Sequence, residues 1–213
     1  MSNTKNASLI EHLERRLQEP LPGIPAQIRL APAPMPERFK PPANARQAAV
    51  LALLYPQNGH WHLCLIKRTS SDPRDRHAGQ IAFPGGSREA EDPDLLHTAL
   101  REACEETGIN PRAVRQLGPM TPIYIPVSNF QVYPFLAWSE SRPDFRPQES
   151  EVEAILEPPV EDLFHPRSLQ RRPIRLASGR QLDQAPCLIW KDHLIWGATA
   201  MMLSELRALM ESQ

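Results

Sequence analysis

The stretch Gly85–Ile109, GGSREAEDPDLLHTALREACEETGI, concentrates carboxylates at a spacing that can do chemistry. An α-helix turns about 100° per residue, so with Glu102 set at zero Glu106 falls near +40° and Glu105 near −60°. On the same scale Leu96, Ala99, Leu100, Ala103 and Thr107 occupy an arc from roughly +60° to +160°. The spacing predicts one buried stripe and, beside it, a stripe where three carboxylates stand together. Like charges at i,i+3 and i,i+4 cost a helix about 0.2–0.5 kcal/mol per pair, so a cation is required to offset them. Arg101 reaches Glu105 at i+4, but one guanidinium cannot neutralise three carboxylates. A hard divalent ion, Mg²⁺ or Mn²⁺, suits an all-oxygen cluster, with water or substrate phosphate filling the remaining positions. The Gly85-Gly86 turn lets the backbone approach closely and makes the Gly86 carbonyl a candidate further ligand. The plain alternative is a solvated acidic face. A preceding strand, a Gly-Gly loop, a capped helix and a glycine stop favour a built site instead.

Positioning that cluster falls to the elements around it. The helix is predicted from about Pro93 to Thr107, with Asp92 as its N-cap, Pro93 in the first position and Gly108 at the C-terminal cap. Upstream, Ala48–Tyr55 reads as a buried strand, Pro56-Gln57-Asn58-Gly59 as a hairpin turn, Trp61–Lys67 as the returning strand and Gln80–Phe83 as a short strand. Downstream come strand-like runs at Val114–Leu117, Ile123–Ile125, Val132–Trp138 and Val152–Leu156, then a helix over Ala198–Met210. Near the start, Ile10–Gln18 has helical spacing that Pro20 stops, and the proline-punctuated Leu21–Ala45 reads as an extended arm. The elements predict an α/β (α+β) fold with a mixed sheet. The expected division is an N-terminal helix and extended arm over residues 1–45 and a main domain over residues 46–213.

Composition bounds the partners. At 213 residues the chain buries enough surface to fold without disulfides or a structural metal. A net charge of −1, from 24 basic and 25 acidic side chains, gives no basic field for nucleic acid. No apolar stretch is long enough to span a membrane, and the first 20 residues lack a signal-peptide core. Cys64, Cys104 and Cys187, with no Cys-x-x-Cys spacing, read as reduced thiols, so a cytoplasmic location is expected. The 24 prolines are dispersed, which predicts ordered loops rather than a low-complexity tail. A homodimer is a candidate assembly, with the arm packing on its own domain or on a partner protomer.

At the acidic helix the sequence resembles the Nudix hydrolases. Their box reads Gly, five residues, Glu, seven residues, then Arg-Glu-apolar-x-Glu-Glu-x-Gly-apolar. Here Gly86 leads, Asp92 stands for the first Glu, and Arg101-Glu102-Ala103-Cys104-Glu105-Glu106-Thr107-Gly108-Ile109 completes it, with eight residues before Arg101. That variant is similar to the box of the coenzyme A pyrophosphatase branch. Arg68, Arg76-His77-Ala78-Gly79-Gln80, Phe83-Pro84-Gly85-Gly86, Tyr124-Ile125-Pro126-Val127-Ser128-Asn129-Phe130 and Ile195-Trp196-Gly197-Ala198-Thr199-Ala200 extend the resemblance. The stretch from Arg68 to Gly79 is longer than that branch's signature, and Asp75 stands at its arginine position between Arg74 and Arg76.

The resemblance implies an α/β/α sandwich and metal-dependent hydrolysis of a diphosphate bond in a small nucleotide substrate. It implies that coenzyme A or an acyl derivative is the substrate, giving 3′,5′-ADP and 4′-phosphopantetheine species. Other nucleoside diphosphate derivatives such as ADP-ribose are the alternative substrates, and a Nudix-fold module that binds without hydrolysis is the alternative class. Glu102, Glu105 and Glu106 are implied as metal ligands, with the base left open between them, and Arg101 is implied to hold Glu105 or another acid. Arg68, Arg74 and Arg76 are candidates to grip phosphates, since guanidinium forks match that geometry, and His77 is a candidate substrate contact. Solvated loop charge is the competing role for the arginines. Glu151 and Glu153, on one face of a strand, are each candidates for a distal acid.

Overall fold

The computed structural model describes residues 2–32, 40–69, 79–176 and 179–211, with the backbone alone for residues 2–7. The centre is a long strand, β1 (Arg46–Gln57), whose middle eight residues, Ala48–Tyr55, are all buried. Apolar residues on both faces are what a strand covered on both sides requires. The Asn58-Gly59 turn, φ +52° and +82°, returns the chain into β2 (His60–Leu63), which pairs antiparallel with β1. The predicted second strand does not run through to Lys67. At Cys64 the chain leaves β1, and β3 (Leu65–Arg68) joins a different sheet with β4 (Ile81–Ala82) and β9 (Val152–Leu156).

The main sheet is mixed. β8 (Phe130–Trp138) runs parallel to β1 over nine paired positions, while β6 (Arg115–Pro119) and β7 (Ile123–Ile125) add antiparallel to β8. A three-residue strand, β5 (Gly85–Ser87), adds antiparallel to β1, where a break rather than a strand is predicted from sequence. A third sheet, β10 (Leu169–Arg175), β11 (Gln181–Trp190) and β12 (His193–Trp196), has no counterpart in the predicted elements.

Two apolar cores flank β1. Ala49, Leu51, Leu53 and Tyr55 point to one, where Ala99, Ala103, Leu95 and Leu100 of the helix α3 (Leu95–Thr107) cover them. Ala48, Val50, Ala52 and Leu54 point to the other, closed by Met201, Met202, Leu206 and Leu209 of the C-terminal helix and by Ile10, Leu13 and Leu30. Alternation along one strand thus builds the α/β/α layering. Among the described residues no helix is long and apolar enough to cross a membrane.

The leading segment carries the predicted first helix, and residues 23–30, read from sequence as part of an extended arm, are helical instead. It forms α1 (Ser2–Arg16), α2 (Gly23–Gln27) and a 3₁₀ turn (Ile28–Leu30). The fully buried Glu205 of the last helix accepts hydrogen bonds from Gly23 N, Gln27 Nε2 and Thr121 Oγ1 at 3.1, 2.9 and 2.6 Å. Burying a carboxylate is unfavourable unless donors surround it, so this cluster pins α2 to the body. Proline spacing hid the helix because Pro22 and Pro25 sit in its first turns, where a missing N–H costs nothing.

Candidate active site

α3 begins two residues later than predicted. Asp94, not Asp92, caps it, its carboxylate accepting from His97 N at 2.9 Å, and Gly108 ends it in the left-handed region at φ +71°. Asp92 is used otherwise. It is buried at 6% exposure and accepts from Arg101 Nε and Nη2 at 3.0 and 3.1 Å, from Thr98 Oγ1 at 2.9 Å and from Glu89 N at 3.0 Å. The paired guanidinium, followed by the backbone donor, holds its carboxyl well below the usual carboxylate range.

Arg101 is the hub of this end. Besides Asp92 it donates to Ser87 O and Glu102 Oε1 through Nη2, each at 3.1 Å, and to Glu105 Oε2 through Nη1 at 3.0 Å. The implied Arg101–Glu105 contact is therefore present, alongside three others. It draws Glu105 outward, where the side chain is 57% exposed. The three carboxylates accordingly do not stand together. Glu102 is half-buried, and Glu106 is 1% exposed and lies within the buried stripe. The cause is the position of the sheet-facing arc, which runs from Thr98 through Glu106 to Thr107 rather than starting beyond them.

Glu106 can be buried because of the phase of β5. Arg88 N donates to Gln47 O and Leu51 N to Pro84 O, so the opposed pairs at either end of β5 are hydrogen-bonded ones. Alternation makes Ala49 and Gly86 a bonded pair as well, and leaves Gly85, opposite Val50, with its N–H turned away from β1. That N–H donates to Glu106 Oε2 at 2.7 Å. By the same alternation the Gly86 carbonyl already serves the ladder with one lone pair and keeps a second. A side chain on Gly85 has no room: a Cβ there falls 2.3 Å from Ala49 O and 2.6 Å from Val50 Cα. At Gly86 a Cβ falls 2.5 Å from both carboxylate oxygens of Glu102, so that carboxylate lies directly on the glycine backbone.

Arg68, at the end of β3, brings Nη1 to 3.4 Å from Glu106 Oε1, while its buried Nε has no hydrogen-bond partner among the described residues. Burial pushes the Glu106 carboxyl up to about 7, opposed by the Gly85 N–H and Arg68 and reinforced by the charges of Glu102 and Glu151. Burial raises Glu102 too, and Glu105 and Glu151 add to it. Glu151, whose carbonyl accepts from Thr69 N, is thus within electrostatic reach of the pair. Glu153 is paired with Lys67 at 2.5 Å instead. Arg74, Arg76 and His77 lie outside the described residues.

Among the described residues no three His, Cys, Asp or Glu side chains form a ready-made metal cage. The donors that converge are the Glu102 and Glu106 carboxylates over the Gly85–Gly86 backbone. All-oxygen donors, beside Arg68 and an Arg101 that is shared with Asp92 and Glu105, fit a hard divalent ion that keeps most of its positions for water and phosphate. Sequence reasoning missed Thr98, Ser87 O and the Gly85 N–H. The last two are backbone groups without a side-chain signature, and Thr98 is visible only once Asp92 is known to face α3.

A family model, the NUDIX domain, matches residues 45–178. A protein of Pectobacterium atrosepticum named uncharacterized Nudix hydrolase NudL is 35% identical over 175 residues, covering 81% of this chain and 86% of that protein. A protein of the same name from Salmonella paratyphi B is 37% identical over 171 residues, covering 76% and 82%. Among solved structures, the Nudix hydrolase RenU of M. smegmatis has a TM-score of 0.54 at 16% identity over 78% of this chain and 85% of its own. The NUDIX domain of Shewanella oneidensis NrtR, in complex with ADP ribose, has a TM-score of 0.52 at 15% identity over 83% and 93%. At those identities the two structures speak for the fold alone, and the sequence matches carry the family. The acidic helix, its glycine pair and the central strand all fall inside the matched span, and the chain belongs to the Nudix hydrolase family.

Proposed function

We propose that this hydrolase cleaves the diphosphate bond of coenzyme A or an acyl-coenzyme A, giving 3′,5′-ADP and (acyl-)4′-phosphopantetheine. The carrying observation is the Glu102–Glu106 pair set on the Gly85–Gly86 backbone with Arg68 beside it, within a box and flanks similar to those of the coenzyme A branch. The two carboxylates would hold Mg²⁺ or Mn²⁺, which would supply charge neutralisation and Lewis acidity to the diphosphate. Glu102 and Glu106 hold that charge in place, Arg68 orients the phosphates, and Arg101 keeps Glu102 against the glycine backbone. Water adds to one phosphorus, the bridging P–O bond breaks, and the proton lost by the water is taken up by a site carboxylate. Glu105 fits the role of that base, exposed at the rim and free of the glycine cradle. Three free cysteines support a reducing, cytoplasmic setting.

Incubating the purified chain with coenzyme A and Mg²⁺ and resolving the products by chromatography tests the reading. Appearance of 3′,5′-ADP is the expected result. No turnover of coenzyme A beside rapid turnover of ADP-ribose overturns it in favour of a general nucleoside-diphosphate hydrolase, the second reading, which the ADP ribose bound by the NrtR domain brings into view.

A further inference from the structure

A groove of about 350 Å³ opens at the start of β1, lined by Arg46, Gln47, Ser87, Arg88, Glu89 and Ala90. It reaches the Arg101 hub of α3 through two residues. Ser87 O accepts from Arg101, and the Glu89 carboxylate, itself 59% exposed, stands 3.9 Å from Arg101 Nη1. Along β5 the step from Gly86 to Arg88 is roughly 7 Å, within the length of one nucleotide.

The groove's charge is out of balance. Among the described residues neither Arg46 nor Arg88 has a carboxylate within ion-pair distance. The Arg46 guanidinium lies 4.2 Å over the Phe130 ring, which orients it without neutralising it. Arg88 makes three long bonds of 3.3 Å, to Gln47 Oε1, Asp92 O and Pro93 O, and these fix its direction while leaving its charge unspent. Two oriented, unpaired guanidiniums with one carboxylate that faces Arg101 describe a receptor for a phosphate group.

We infer that this groove binds a second phosphoryl group on the nucleotide, one carried on the ribose away from the diphosphate, with Arg46 and Arg88 as its partners. The inference rests on the proposed reading of the substrate only in choosing the ribose 3′ position. It makes the protein selective for nucleotides with a phosphomonoester beside the scissile diphosphate, and it gives Arg46 and Arg88 a specificity role.

Titration calorimetry of the full chain with adenosine 3′,5′-bisphosphate and with AMP, both with Mg²⁺, tests it. The wild type is expected to bind the bisphosphate about 10- to 100-fold tighter, the scale of a charge-assisted pair. R46A and R88A each shrink that ratio and the double variant brings it to about one. R46A guards against misfolding, because Arg46 contributes stacking and, among the described residues, no side-chain hydrogen bond, and unfolding curves verify it. Equal affinities in the wild type, or a preference that survives in the double variant, overturn the inference. If the preference holds but coenzyme A is not hydrolysed, the groove stands and the substrate reading falls. If coenzyme A is hydrolysed without any preference, the groove alone falls.

Discussion

Asp92 and Glu106 are both buried carboxylates of the same box, and the protein treats them in opposite ways. At the beginning of α3, Asp92 takes both prongs of one guanidinium, a hydroxyl and a backbone N–H, and its acidity is strengthened. In the last turn, Glu106 has one backbone N–H, a long contact to Arg68 and two negative neighbours, and its proton is held more tightly, to about pH 7. The first end is a scaffold whose polar groups are answered within the chain. The second, among the described residues, is left short of positive charge, the condition in which an incoming cation or phosphate-bound metal gains most. Perturbed acidity collects where chemistry is done, and here the contrast lies within 14 residues of chain, from Asp92 to Glu106 counted by their positions.

The largest effect is expected from removing the charge deficit itself. Glu106→Gln keeps an acceptor for Gly85 N–H but removes the negative oxygen, and kcat should fall by at least about 10²-fold with folding retained. Stability should move the other way in chelator. A carboxyl whose folded value is raised contributes stability that is complete below its unfolded value, near about 4.3, and is lost as pH rises through about 7. The metal-free wild type should therefore weaken between pH 5 and pH 8 relative to the Gln variant, by about 2–4 °C in Tm per kcal/mol. Mg²⁺ should raise the Tm of the wild type and not of the variant. Unchanged turnover in Glu106→Gln breaks the comparison outright.

Next in size is Gly86→Ala. Its methyl collides with the Glu102 carboxylate rather than with backbone, so the fold should survive while the carboxylate shifts. Displacing a catalytic group by about 1 Å can cost about 10²-fold, and a loss of that order in kcat with near-normal unfolding is the expected signature.

Smaller effects, on stability, should mark the scaffold end. Asp92→Asn should cost about 1–3 kcal/mol at pH 7, below the usual figure for a broken buried pair because Arg101 is partly solvated. Asp92 has a lowered folded value, so its contribution is present above about pH 4 and fades below it. The gap between wild type and variant in acid unfolding should close in the same window. Thr98→Val, losing one hydroxyl donor to Asp92, should cost about 1 kcal/mol, and Thr98→Ser should recover most of it.

The sequence made the box helix, its Gly108 stop, the Asn-Gly hairpin and the buried β1 legible, because each rests on local periodicity or turn chemistry. It did not reveal which of two aspartates flanking Pro93 caps α3. Both are well placed for it, and the choice is made by Arg101 and Thr98, six to nine residues away. The burial of Glu106 ran against the expectation that charge runs face water, since the donor that permits it comes from β5. The strand β10, with three arginines and one proline, hides its pairing too. Its burial follows no clean alternation, and a register shift between Arg172 and Ile174 breaks its pairing with β11. Arg46 and Arg88 carried no motif, and only the fold sets them on one groove.

The odd-and-even rhythm of β5 has a further consequence. Counting from Leu51, each residue of the short strand looks alternately toward its neighbour and toward the acid, and Gly85 falls on the outward beat. Deleting or inserting one residue between Phe83 and Gly85 would hand that beat to another amide and leave the acid without its donor. The turn after Ser87 lies beyond the last bond of the β1–β5 ladder, Arg88 N to Gln47 O, and carries no such count. Length can drift on one side of the glycine pair and is metered on the other.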